Sequence, residues 1–226
     1  MTDSRPPVRG ILFDVDGTLI DSNYFHTVCW WQAFRQQDLD VPMAVIHRSV
    51  GMGSDMLIDH VLADIGSDAK PDQDALAAAE GALYAAYWAR LRPLPGAAEV
   101  LRHCHAAGLT TVLASSAKEQ ELTVLQRVLD CDDAIDYTTS SADAEQSKPA
   151  PDIVAVALKK SGLDPAESLF VGDSVWDVEA AGKLDVACIG LESGGSSAAE
   201  LRQAGAFVTY QNAQELLDHS EEWLNR

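Results

Sequence analysis

The run Asp14-Val15-Asp16-Gly17-Thr18-Leu19 follows the apolar residues Ile11-Leu12-Phe13 and sets two carboxylates two residues apart, at a turn closed by Gly17. Residues i and i+2 of a strand share a face, so both carboxyl groups can act on one ligand, the first as nucleophile and the second as acid and base. A carboxylate nucleophile is the chemistry of an aspartyl-phosphate. A polar turn or a calcium loop is the competing use of Asp-x-Asp-Gly. A calcium loop of the EF-hand type needs a glutamate at its twelfth position, and counting from Asp14 that position is Phe25.

Three more polar groups stand beside or between apolar runs. Ser115 and Ser116 end Thr111-Val112-Leu113-Ala114, and Gly172-Asp173-Ser174 follows Leu169-Phe170-Val171, with Asp177 four residues beyond Asp173. Lys148 lies in Ser147-Lys148-Pro149-Ala150-Pro151-Asp152, where the prolines stiffen the loop and disfavour a plain surface lysine. Ligands of open parallel sheets bind outside the carboxyl ends of the strands. Asp14, Asp16, Ser115, Lys148 and Asp173 are therefore expected to converge on one phosphate- or metal-binding site.

The elements that must position them follow from periodicity. After a first strand ending at Phe13, residues 22–92 carry helical spacing without a strand signal, in runs 24–34, 56–62 and 75–91, and Arg92-Pro93-Leu94-Pro95-Gly96 breaks the pattern. Beyond Gly96, helices predicted at 97–107, 118–129, 152–161, 175–182 and 197–204 alternate with strands at 110–114, 137–140, 169–171, 186–189 and 207–209. That alternation predicts an α/β fold with a doubly wound, Rossmann-like parallel sheet. The helical block is an insertion after the first strand. Residues 1–20 and 94–226 are expected to form the core and residues 21–93 an all-helical cap, with adjacent crossings near Ile20-Asp21 and Arg92-Pro95 serving as a hinge. Residues 214–226 read as one surface helix packed by Leu216, Leu217, Trp223 and Leu224.

Taken together, these motifs resemble the haloacid dehalogenase superfamily of aspartate-nucleophile phosphatases, in the branch holding phosphoglycolate phosphatase and β-phosphoglucomutase. The resemblance spans about residues 10–212. It implies Asp14 as nucleophile and Asp16 as the acid that protonates the leaving oxygen and the base that then activates water. It implies Mg²⁺ held by the Asp14 and Asp173 carboxylates and the Asp16 main-chain carbonyl. Asp177 would orient water at the ion, unless it is only a first-turn charge favourable to the helix dipole. Lys148 would pair with phosphoryl oxygens and Asp14, and Ser115, with Ser116 beside it, would donate to phosphate. Gly17 would let the backbone approach the phosphoryl group, with Thr18 in support. His26 lies where relatives place a cap histidine near the site, although a lone histidine on an apolar helix is more often structural. Arg48 precedes the loop Gly51-Met52-Gly53-Ser54-Asp55, which either reaches the substrate or only connects helices.

Departures from the relatives narrow the reaction. A haloacid dehalogenase proper would lack Asp16. A phosphonatase would need a cap lysine, and Lys70 is the only lysine in residues 21–93. A β-phosphoglucomutase would hold a second phosphate with a cap arginine where Ser54 stands, and would read Glu-Asp where this chain has Gly172-Asp173. The expectation is an Mg²⁺-dependent phosphatase of a small phosphomonoester such as phosphoglycolate or a sugar phosphate. A phosphomutase is the alternative, and a non-catalytic phospholigand-binding protein a more distant one.

Composition bounds the rest. With 47% hydrophobic and 23% charged residues, the 226-residue chain reads as soluble and globular. A net charge of −19 disfavours nucleic acid, so a phosphate site must be made locally positive. No apolar stretch reaches membrane-span length, and the N-terminal residues lack the apolar segment of a secretory signal. A cytoplasmic protein without membrane association, monomeric or weakly homodimeric, is expected. Cys29, Cys104, Cys131 and Cys188 form no C-x-x-C pair and read as buried thiols.

Overall fold

The segment Gly10–Phe13 (β1) is buried along its whole length, as a strand covered on both faces must be. In this computed structural model, which describes residues 6–224, it is followed by four helices: α1 (Asn23–Gln36), α2 (Met43–Ser49), α3 (Ser54–Asp64) and α4 (Gln73–Ala85). Next come α5 (Ala97–Ala106), β2 (Thr110–Ala114), α6 (Glu119–Leu129), β3 (Tyr137–Thr139), α7 (Asp152–Ser161), β4 (Ser168–Gly172) and α8 (Val175–Gly182). The chain ends with β5 (Ala187–Leu191), α9 (Ala198–Ala204), β6 (Val208–Tyr210), α10 (Ala213–Asp218) and α11 (Ser220–Leu224). The first five residues of the N-terminal segment read above, and the last two of the C-terminal one, lie outside the described residues.

The six strands form one parallel sheet in the order β3-β2-β1-β4-β5-β6. Residues alternate between its faces. Ile11, Phe13, Leu113 and Val171 pack with α5, α6, α10 and α11, whereas Leu12, Val112, Phe170 and Cys188 pack with α7, α8 and α9. This is the doubly wound, Rossmann-like α/β architecture expected. Register sets the site: Phe13 pairs with Leu113 on one side and Val171 on the other. Asp14, Ala114 and Gly172 therefore come level at the carboxyl edge, where the strand order reverses direction.

The helices between β1 and β2 have a core of their own, built from Trp30, Phe34, Ile46, Leu57, Val61 and Leu76. Their entry and exit strands touch. Asp21 N donates to Arg92 O at 3.0 Å, Leu94 N donates to Leu19 O at 2.8 Å, and Ile20 bridges Pro93.

Two expectations need correction. The third helical run, read over 75–91, stops at Ala85 and gives way to a single 3₁₀ turn at Trp88–Arg90. The C-terminal segment is two short helices broken at His219 rather than one, with Trp223 packed as expected, 1% exposed and its indole donating to Leu216 O at 2.9 Å. All four cysteines are free and buried. No helix among the described residues is long and apolar enough to cross a membrane.

Candidate active site

Beyond β1 the chain turns through Gly17, whose φ of +77° is the left-handed region that glycine tolerates. A Cβ there would lie 2.3 Å from Asn23 Nδ2 and 2.6 Å from Asp173 Oδ2. The turn thus brings backbone against the end of β4. It also points the Thr18 hydroxyl at Asp173 Oδ1, 2.9 Å away, with Asp14 Oδ2 at 3.4 Å. Ser22 occupies the N-cap of α1 but makes no capping bond. Its hydroxyl donates instead to Asp16 Oδ1 at 2.6 Å, so a residue suited to a helix end has been diverted to hold a carboxylate.

Lys148 is 1% exposed. Its ammonium contacts Asp14 Oδ1, sits 2.7 Å from Asp177 Oδ1, and lies over the Phe170 ring. The other Asp177 oxygen accepts from the Ser174 hydroxyl at 2.6 Å and the Ser174 N–H at 3.1 Å. Asp177 therefore combines the helix-end use foreseen for it with a second one, fixing the lysine. Although burial disfavours the charged amine, Asp14 and Asp177 hold its pKa above the ordinary lysine value.

The carboxylates of Asp14, Asp173 and Asp177 bring oxygens within 4.8 Å of one another, all in buried residues. One ammonium lies against two of these three carboxyl groups, and the imbalance registers in their acidity. Burial pushes Asp14 up to about 7 despite Lys148. Burial, with the charges of Asp177 and Asp14 adding to it, raises Asp173 well above the carboxylate range. A hard divalent cation fits this donor set, since Mg²⁺ takes oxygen ligands and one or two carboxylates. Asn23, which the motifs did not reveal, braces the site by donating to Asp173 Oδ2 at 2.8 Å and Gly194 O at 3.3 Å. Gly194 packs so closely on Asp173 that a Cβ would come 1.6 Å from Oδ2.

Asp16 faces a second constellation. His26 Nε2 lies 3.5 Å from Asp16 Oδ1 and 3.7 Å from Glu121 Oε1, while Nδ1 is 2.9 Å from Glu80 Oε1. The Tyr84 ring stacks on the imidazole at 3.8 Å. Burial opposes charge on His26, but Asp16 and Glu80 outweigh it and raise its pKa well above 6.5. Burial also opposes charge on Asp16, yet His26 and Ser22 hold that carboxyl below its ordinary value. Burial and the charge of Asp16 lift Glu121 to about 7.

A chamber of about 110 Å³ opens between these groups. Asp14, Asp16, Lys148 and Ser116 line its floor, the loop from Gly51 to Ser54 closes one side, and His26, Glu80 and Glu121 another. The glycine-bearing loop therefore reaches the site. Ser116 has a buried hydroxyl oxygen without a hydrogen-bond partner. Ser115 is buried and absent from the chamber lining, its Oγ accepting from Ala117 N–H at 3.0 Å. Arg48 is not brought to the chamber. Its guanidinium is mostly exposed, 3.8 Å from Asp64, and lines a separate cavity of about 240 Å³ against α8. Contacts between the inserted helices and the core hold the chamber shut on that side: Ser147 N–H donates to Asp55 Oδ2 at 3.1 Å, and the Trp176 indole to Arg48 O at 3.0 Å.

Comparisons with known proteins agree with this architecture. The model of haloacid dehalogenase-like hydrolases matches residues 8–185. A phosphoglycolate phosphatase of Pseudomonas putida is 31% identical over 193 residues, covering 82% of this chain and 70% of that protein. The crystal structure of a hydrolase from Pseudomonas syringae superposes with a TM-score of 0.89 at 30% identity, covering 95% of this chain and 98% of that one. A β-phosphoglucomutase of Clostridium difficile shares the fold at a TM-score of 0.82 and 17% identity, covering 96% and 97%. The chain belongs to the haloacid dehalogenase-like hydrolase family.

Proposed function

We propose that this hydrolase is an Mg²⁺-dependent phosphatase that cleaves a small phosphomonoester through an aspartyl-phosphate on Asp14. The observation that carries this reading is the convergence of Asp14, Asp16 and Lys148 on one chamber beside Asp173. The chamber volume of about 110 Å³ suits a compact ester. The relatives named as phosphoglycolate phosphatases support the reaction class.

Asp14 and Asp173, with the Asp16 carbonyl, would hold the Mg²⁺, whose bound charge neutralises phosphoryl oxygens. Lys148 lies against Asp14, so it screens the approach of one anion to another. Asp14 attacks phosphorus, and the leaving oxygen takes a proton from the Asp16–His26 pair. His26 Nε2 stands 3.5 Å from Asp16 Oδ1, and Asp16 and Glu80 raise the imidazole pKa, which favours a proton held beside the acid. Asp16 then takes a proton from the water that hydrolyses the aspartyl-phosphate. The unpartnered Ser116 hydroxyl, with Ser115 behind it, and the backbone at Gly17 receive the phosphoryl oxygens. Thr18 orients both metal-binding carboxylates. Within this reading residues 21–93 act as a cap over the core, and the protein works in the cytoplasm as a monomer or weak homodimer.

Two observations weigh against a phosphomutase. Among the described residues, no arginine lines the chamber to hold a second phosphate. A Cβ at Gly172, where the mutase pattern places glutamate, would come 2.5 Å from the Asp177 side chain.

The test is phosphate release from a panel of small phosphomonoesters with Mg²⁺, with chelator, and with Asp14→Asn, alongside β-glucose 1-phosphate and its bisphosphate activator. Metal-dependent release lost in Asp14→Asn is the expected result. Conversion to glucose 6-phosphate without release would make the protein a mutase. Ligand binding without turnover would make it a sensor.

A further inference from the structure

The chamber wall opposite Lys148 is acidic, and its acids are not free to be ignored. Glu80 and Glu121 flank His26 from two different helices, α4 and α6, with side chains only 12% and 17% exposed. With Asp16 they place three carboxylates around one imidazole. Lys148 is engaged by Asp14 and Asp177. Lys118 also lines the chamber, but it is exposed, its Nζ lying 3.8 Å from where a Cβ on Gly81 would stand, at the mouth. Trp30 and Leu57 add an apolar surface beside the acids.

A phosphomonoester bound with its phosphorus at Asp14 must direct its alcohol toward this wall. An alcohol carrying hydroxyl or ammonium groups would donate to acceptors already in place, and its carbon chain would lie against Trp30 and Leu57. A carboxylate there would meet Asp16 and Glu80, joined by Glu121 as it ionises above about pH 7, in poorly solvated space where like charges are costly. Of the cations lining that space, His26 is already surrounded by acids, Lys148 is engaged by Asp14 and Asp177, and Lys118 is exposed.

Resting on the phosphatase reading above, we infer that the substrate is the phosphate ester of a neutral hydroxylated or amine-bearing alcohol, and that Glu121 is a specificity-determining residue excluding carboxylate-bearing esters.

Three esters of similar size but different leaving-group charge test this: phosphoglycolate, glycerol phosphate and ethanolamine phosphate. Their kcat/KM values are compared in the wild type, Glu121→Gln and Lys118→Ala, each first shown by circular dichroism to be folded. Phosphoglycolate is expected to trail the other two by at least about tenfold in the wild type, about 1.4 kcal/mol. In Glu121→Gln the gap is expected to close by a similar factor, and in Lys118→Ala the ranking is expected to hold. The inference is overturned by a wild type that prefers or equals phosphoglycolate, by a gap unchanged in Glu121→Gln, or by a selective loss of phosphoglycolate turnover in Lys118→Ala. Absence of metal-dependent release from these and every other ester of the panel would overturn the phosphatase reading itself. Release in the wrong order overturns only the specificity.

Discussion

His26 Nδ1 and Glu80 Oε1 lie 2.9 Å apart, a hydrogen bond that ties α1 to α4 at the chamber wall and turns Nε2 toward Asp16. Because the folded state raises the histidine pKa above 6.5, the imidazolium contributes stability that is complete below about pH 6.5 and lost as pH rises through the raised value. With Mg²⁺ saturating, the Tm of the wild type is expected to fall between about pH 7 and pH 9. Glu80→Gln, which leaves an acceptor but removes the charge, is expected to start lower and fall less. Thermal scans across that range decide it.

The metal-free protein carries a burden of the same sign at Asp14 and Asp173. Both bind protons more tightly folded than unfolded, so stability falls as pH climbs from about 4 toward 7 and beyond. A bound divalent cation removes that penalty. At a hundredfold excess over its Kd at pH 8, Mg²⁺ is expected to add about 2.7 kcal/mol, and the same concentration is expected to add less at pH 5. Asp173→Ala should abolish the response, read by unfolding with MgCl₂ or with chelator.

Asn23→Ala removes the donor that fixes Asp173 Oδ2. Groups of this kind, which orient metal ligands, typically cost about 10–100-fold in metal affinity when lost. Calorimetric titration of Mg²⁺ is expected to show a drop of that size, while Asn23→Asp, which adds a charge but no donor, is not expected to restore affinity.

Lys148→Met is expected to cost about 3–5 kcal/mol in urea unfolding, because it strands buried carboxylates that had one ammonium between them. Lys148→Arg fills a similar length but cannot seat a planar fork where a compact ammonium fits, so it is expected to recover only part of the stability.

The four thiols are expected to be silent to a disulfide-forming thiol reagent in the native protein, and all four to react in denaturant. Each is buried, and burial pushes Cys29 and Cys104 up to about 12 and Cys131 up to about 11, leaving little thiolate to attack.

Much of the fold was legible because punctuation and period agreed. Helices at 152–161 and 175–182 and the strand at 110–114 fall where the pattern put them, between turn residues and in step with burial. The core motifs were legible for a related reason. Those of Asp14, Ser115 and Asp173 directly follow apolar runs whose ends parallel pairing through Phe13 brings level, and Lys148 stood out by the prolines of its loop. Residues whose importance arises from packing were not legible. Asn23, Glu80 and Glu121 read as ordinary helical polar residues, and only the approach of α1 to α4 and α6 sets them beside Asp173 and His26. Arg48 illustrates the reverse case, since its direction from α2 depends on how that helix is rolled, and it rolls toward Asp64. The break at His219 depended on an indole folding back to a carbonyl seven residues earlier.

The paired crossings at Leu19–Asp21 and Arg92–Leu94 have a consequence for how such a protein can change. Since the outgoing and returning backbones are hydrogen-bonded to each other, the helical excursion leaves and rejoins at one spot on the rim of the sheet. Apart from Ser22, Asn23 and His26, which reach Asp16 and Asp173, its helices can drift in sequence, length or tilt without altering the spacing of β1 and β2. Much of the chamber wall is thereby carried on a stretch of polypeptide apart from the sheet, with Glu121 the core's own share of it. A lineage can retune what enters the chamber while inheriting, unaltered, the means of cleaving it.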